Sequence, residues 1–89
     1  MESFEALYRV PVTHQLVPVR SRSHGGRTPA TYWEHEEYDA SGQLIARYES
    51  YAQRLSRGGL SQNGWCKYDP FGKLIARGSH VPLSLADAA

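Results

Sequence analysis

A pattern of ten residues occurs twice in this chain, and it constrains the fold more than any other feature. Tyr38-Asp39-Ala40-Ser41-Gly42-Gln43-Leu44-Ile45-Ala46-Arg47 returns as Tyr68-Asp69-Pro70-Phe71-Gly72-Lys73-Leu74-Ile75-Ala76-Arg77, and each copy has a tryptophan upstream, Trp33 and Trp65. The chemistry of the turn is local. An aspartate at the first position accepts bonds from backbone amides ahead of it, Pro70 presets the φ of a type I turn, and the glycine takes the positive φ that closes a three-residue loop with a bulge. Both copies therefore predict β-hairpins.

With Asp39 facing Gln43, counting outward sets Tyr38 opposite Leu44, Glu36 opposite Ala46 and Glu34 opposite Tyr48 on one face. Glu37 opposite Ile45, His35 opposite Arg47 and Trp33 opposite Glu49 fall on the other. The second hairpin gives Tyr68 opposite Leu74 and Cys66 opposite Ala76, then Lys67 opposite Ile75 and Trp65 opposite Arg77. This register makes the Tyr, Leu and Ala face the candidate core. It leaves the Trp, Ile and Arg face partly exposed for contact, with Trp65 and Arg77 as a cation–π pair.

The repeated Tyr-Asp-x-x-Gly-x-Leu followed by Ile-Ala-Arg resembles the YD repeat of large bacterial Rhs-type shell proteins, in which each repeat is a β-hairpin. The match covers about 20 of the 89 residues in two copies, with no longer array. What the resemblance implies is local hairpin geometry, and no functional residue is carried over from it.

The remaining segments are less sharply marked. Phe4, Leu7, Tyr8 and Pro11 have the spacing of a short helical turn. Val10 to Arg20 reads as an extended segment whose Pro11 and Pro18 suit an edge, and the pattern leaves open whether the first 20 residues join the sheet. Ser21 to Pro29, polar and glycine-rich, reads as a basic loop. Ile45, Tyr48, Ala52 and Leu55 also fit a helical period ended by Gly58-Gly59, but a strand to about Tyr51 is preferred. The expected fold is mainly β: a small antiparallel sheet of four to six strands, or a partly open barrel, with room for one short helix. It forms a single domain over 1–89, with the extended segment and loop in 1–29, hairpins at 30–51 and 60–79, and a frayed tail at 83–89.

A chain of 89 residues supports one modest core, burying roughly 60% of the surface exposed in its unfolded form. Six Tyr, two Trp and two Phe supply much of its apolar mass, which suits pleated surfaces. The net charge of +1 gives no global pull toward nucleic acid or an anionic membrane. The first hairpin is acidic (Glu34, Glu36, Glu37, Asp39, Glu49) and the second basic (Arg54, Arg57, Lys67, Lys73, Arg77). Opposite charges are expected as cross-strand neighbours within one sheet, ahead of a self-complementary surface that docks two copies. Cys66 is the only cysteine, so no intramolecular disulfide forms and a reducing compartment is allowed. The amino terminus lacks the layout of a signal peptide and no apolar run is long enough to span a bilayer, which places the protein in the cytoplasm with no membrane partner.

The candidate chemistry points to binding. His14, His24, His35, His80 and Cys66 lack the spacing of a zinc site, so no metal and no cofactor are expected. Cys66 with His35 or His80, and the pair Glu34 and Glu36, are the only catalytic groupings, and neither makes an enzyme of a chain too small to build a deep pocket as well as a core. The leading expectation is a protein-binding or assembly module, possible homodimers included, acting through Trp33, Trp65, Tyr51, Arg47 and Arg77. The alternative is nucleic-acid or anion binding by Arg20, Arg22, Arg27 and Arg77, using the basic loop and the second hairpin.

Overall fold

The structure is a computed structural model that describes residues 3–25, 30–54, 61–79 and 81. A short helix, α1 (Phe4–Tyr8), precedes five strands: β1 (Gln15–His24), β2 (Ala30–Tyr38), β3 (Leu44–Arg54), β4 (Ser61–Tyr68) and β5 (Leu74–Gly78). They form one antiparallel sheet in the order β1-β2-β3-β4-β5. The fold is mainly β, as the hairpin pattern predicts, and it is an open sheet: β1 and β5 lie at opposite edges and do not close a barrel. No helix among the described residues is long and apolar enough to cross a membrane.

The two turns are built alike. Asp39 Oδ1 accepts the backbone N–H groups of Ser41 (2.9 Å) and Gln43 (3.0 Å), and Asp69 Oδ1 accepts those of Phe71 (2.9 Å) and Lys73 (2.8 Å). Gly42 and Gly72 take φ of 86° and 91°, a region that a side chain rarely allows.

Beyond each turn the register departs from simple counting. Tyr38 faces Leu44, but Glu37 then faces Ala46, and Ile45 is the extra residue of a bulge. The second hairpin repeats this, with Tyr68 facing Leu74, Lys67 facing Ala76 and Ile75 as the extra residue. A shift of one residue moves side chains to the opposite face of the partner strand's neighbours. The observed pairs are Trp33 with Ser50, His35 with Tyr48, Glu34 with Glu49, Glu36 with Arg47 and Tyr32 with Tyr51. Ala46 and Tyr48 are buried as expected, but they share their face with Trp33, His35 and Glu37 rather than with Glu34 and Glu36.

That face is covered by α1. Ser3 caps the helix by accepting the Ala6 N–H at 3.1 Å, and Arg9, at φ 57°, ends it. Five residues cannot sustain a helix in water. Its stability comes from Phe4, Leu7 and Tyr8, which pack on the sheet. The Tyr8 ring stacks on Tyr48 with centroids 4.0 Å apart, and Phe4 sits 5.4 Å from Trp33. The chain returns to the same face after β5, where Val81 is fully buried with Trp33 and its N–H donates to Asn63 Oδ1 at 2.9 Å.

The edge strand β1 joins the sheet and carries Pro18, with an irregularity between Pro18 and Arg20, devices that discourage further pairing. Ser21–His24, expected in a loop, belong to this strand, because they pair with Trp33, Tyr32, Thr31 and Ala30. β3 runs past Tyr51 to Arg54 as a strand, paired with β2 as far as Gln53 and with β4 as far as Arg54. Arg27, Gly58-Gly59 and the tail 83–89 lie outside the described residues.

On the covered face the Trp65 indole lies over Gly78, so closely that a Cβ at position 78 would stand 2.3 Å from Trp65 Nε1. A rigid ring cannot yield there without repacking, and Gly78→Ala is expected to cost about 1–3 kcal/mol. Urea unfolding, reading the midpoint at unchanged slope, measures it.

Candidate functional site: the open sheet face

With one face filled by α1 and Val81, the other is left without cover among the described residues. Register places its side chains in rows across the strands. Arg22, Tyr32, Tyr51 and Gly64 form one row, and Arg20, Glu34, Glu49, Cys66 and Arg77 the next. Val17, Glu36, Arg47, Tyr68 and Leu74 form the third. The alternation of β2 explains the division: Trp33 is 7% exposed, whereas its neighbour Tyr32 is 38% exposed.

The tyrosines lie as platforms. A Cβ at Gly64 would meet the Tyr51 ring at 3.3 Å, so that ring spreads over the bare backbone of Gly64. Arg22 holds its guanidinium 5.8 Å from the Tyr32 centroid, and His24 meets the same ring edge-on. Between the rows lies a concavity of about 310 Å³ bordered by Val19, Glu34, Glu36, Arg47, Glu49 and Tyr68.

Charges on this face are mixed and only partly matched. Arg20 Nε is 2.9 Å from Glu34 Oε2, while Arg47 Nε is 3.9 Å from Glu36 Oε2. Both pairs are cross-strand neighbours within the sheet, but Arg20 comes from β1 and Arg47 from the acidic hairpin itself, so neither joins that hairpin to the basic one. At such exposure each contributes under about 1 kcal/mol. Glu34 and Glu49 stand directly opposite one another, an arrangement that disfavours the isolated sheet. Burial, with Cys66 and Glu49 alongside, pushes the Tyr68 hydroxyl above its ordinary value. The Tyr38 hydroxyl donates to Glu36 at 3.0 Å, and that bond holds its proton more firmly.

The residues expected to bind a partner are divided between the faces. Tyr51, Arg47 and Arg77 occupy the open one. Trp33 is buried beneath α1, and Trp65 is half-buried on the same covered side, 5.4 Å from Tyr8. The Trp65–Arg77 pair does not form, since Arg77 faces Cys66 and Trp65 faces Gly78. The extra residue Ile75 is the reason. Arg20 and Arg22 lie on the open face at β1. Cys66 is on the open face and His35 on the covered one. Among the described residues no group of three or more His, Cys, Asp or Glu is placed to hold a metal ion.

Sequence reading misses the polar network under α1. Glu37, buried, accepts from the Tyr48 hydroxyl at 2.5 Å and meets His14 Nδ1 at 2.6 Å. Burial alone would raise its carboxyl, but the bonds to His14 and Tyr48, with Lys67 nearby, outweigh it and hold it below the usual range. Burial pushes the Tyr8 hydroxyl up to about 12, although its bond with Ser50 opposes this. Tyr48 is raised as well, first by burial and then by the adjacent Glu37 carboxylate. The network joins α1, the segment before β1, and strands β2 and β3, and its place in the core gives it a structural role. No protein-family model matches this chain, and no curated protein or solved structure does either.

Proposed function

We propose that this chain is a small protein-binding or assembly module whose partner surface is the open sheet face, with Tyr51, Arg47 and Arg77 central and Tyr32 beside them. The observation that carries the reading is the unequal cover of the two faces. α1 and Val81 fill one, and the other presents two exposed tyrosine platforms among charges of both signs. Tyrosine and arginine are the side chains that protein interfaces favour. Five strands at ~4.8 Å spacing and three rows of side chains make a patch of roughly 400–500 Å². Stable interfaces take about 800 Å² from each partner, so the contact formed here is of the weak or transient kind. The half-buried thiol of Cys66 suits a reducing compartment, the cytoplasm in this reading.

Nucleic-acid binding is the second reading, favoured by the patch of Arg20, Arg22, His24 and Tyr32 at one end of the face. Against it, Arg20 is held by Glu34, and Glu34, Glu36 and Glu49 would repel phosphate. Light scattering at two salt concentrations, with absorbance at 260 nm, separates the two. Salt-resistant self-association free of nucleic acid, abolished by Tyr51→Ala with Arg47→Ala, supports the assembly form of the reading. Co-purifying nucleic acid that high salt strips, and that Arg22→Ala loses, overturns the ranking.

A further inference from the structure

We infer that helix α1 is an acid-released strap: it stays on the sheet while His35 is neutral and lets go when His35 takes up a proton. His35 lies at the centre of the α1 contact. Its ring centroid is 4.4 Å from Phe4 and 5.7 Å from Tyr8, and its Nδ1 is 3.5 Å from the Tyr8 hydroxyl, its one hydrogen-bonding neighbour among the described residues. That hydroxyl is already engaged with Ser50. An imidazolium offers two N–H groups, and among the described residues no carboxylate is bonded to this ring.

Each element packed around His35 bears on its charge. From α1 come Phe4, Glu5 and Tyr8; from β3, Tyr48 opposite it; from β1, Pro18 opposite it. Glu37, two residues along β2, is occupied by His14 and Tyr48, and Lys67 stands 5.6 Å over the Tyr48 ring. Glu5 favours the proton, but burial wins and holds His35 below its ordinary value. The docked form thus binds fewer protons than the undocked form as pH falls past ~6.5, where a free histidine titrates. Docking is fully favourable above that pH and weakens below it, with the opening constant rising up to about tenfold per pH unit.

The strap is built to open separately from the sheet. Among the described residues no backbone hydrogen bond joins α1 to a strand, and its own bonds are local: the Leu7 N–H to Ser3 O and the Val10 N–H to Glu5 O. A five-residue helix tied to the sheet by side chains alone can open without breaking the strand ladders. Release would uncover Trp33, Tyr48 and Trp65, a second apolar surface beside the open face.

Amide-exchange protection and tryptophan emission of the full chain, followed from pH 7.5 to 5, test this. Protection at Leu7 and Val10 is expected to fall up to about tenfold per pH unit below ~6.5, while amides of the β2–β3 ladder keep theirs. Emission from Trp33 and Trp65 shifts red with the midpoint of the His35 ring signal in NMR. His35→Phe removes the dependence and His14→Gln leaves it. If His35→Phe does not fold, the match between the two wild-type midpoints decides. Flat protection at Leu7 and Val10, loss of α1 and sheet together, or midpoints that differ would overturn the inference.

Discussion

Tyr48→Ala is expected to destabilise the domain by about 3–5 kcal/mol, the range for deleting a buried aromatic ring. A domain this small has roughly 5–10 kcal/mol in total, so about a third or more of its stability is lost. The reason lies in how much meets at this ring. Tyr48 is 1% exposed, stacks on Tyr8 at an interplanar angle of 13°, lies 6.3 Å from Trp65, and donates to Glu37. Alanine at 48 unseats α1 and leaves the Glu37 carboxylate with His14 alone. Tyr48→Phe isolates the second effect. It keeps the ring and removes the donor, and about 1–3 kcal/mol is expected for the under-satisfied buried carboxylate. Guanidinium unfolding of the pair measures both, and equal costs for the two variants would show that the hydroxyl, not the ring, carries the contact.

The second large effect contrasts two neighbours in the chain. Trp33→Ala is expected to cost about 3–5 kcal/mol, since Trp33 packs against Phe4, Val81 and Ala52 on the covered face. Tyr32→Ala, one residue earlier, removes an exposed ring and is expected to cost under about 1 kcal/mol. The contrast depends on the bulge at Ile45. In a hairpin without it, Trp33 would face Glu49 and share the exposed side with Arg47, and the order of the two costs would reverse. Calorimetric melting of both variants reads the difference as several degrees against little change.

How far the fold is legible follows from which interactions are local. Asp39, Gly42, Asp69 and Gly72 act within their own turns, so both hairpins and the mainly β class can be read from residues a few positions apart, whereas Ile45, Tyr48, Ala52 and Leu55 also fit a helical period and leave the far end of β3 open. The strip Phe4, Leu7 and Tyr8 marks α1 for the same reason, at helical spacing. The bulges are not local in this sense. Leu44-Ile45 and Leu74-Ile75 offer two adjacent apolar residues, and either register keeps both copies self-consistent. A signal is present on comparison of the strands: Arg47 and Glu49 alternate with Ala46, Tyr48 and Ser50, and they match Glu34 and Glu36 only when one residue is skipped. Glu37 obscures it, because an acidic side chain reads as exposed, and only His14 and Tyr48 from distant positions make its burial tolerable. For the candidate site, Tyr51, Arg47 and Arg77 share the open face, while Trp33 and Trp65 are drawn to the other by the same skipped residue.

The proposed function depends on one division of the sheet, a face covered by α1 and a face left open among the described residues. Residue-resolved NMR relaxation by an inert, soluble paramagnetic agent at neutral pH tests it most directly. The side chains of Tyr32, Tyr51, Arg47 and Arg77 are expected to relax strongly, with Trp33, His35, Tyr48 and Ala46 protected. Strong relaxation at Trp33 and Tyr48, with protection at Tyr32 and Tyr51, would contradict it.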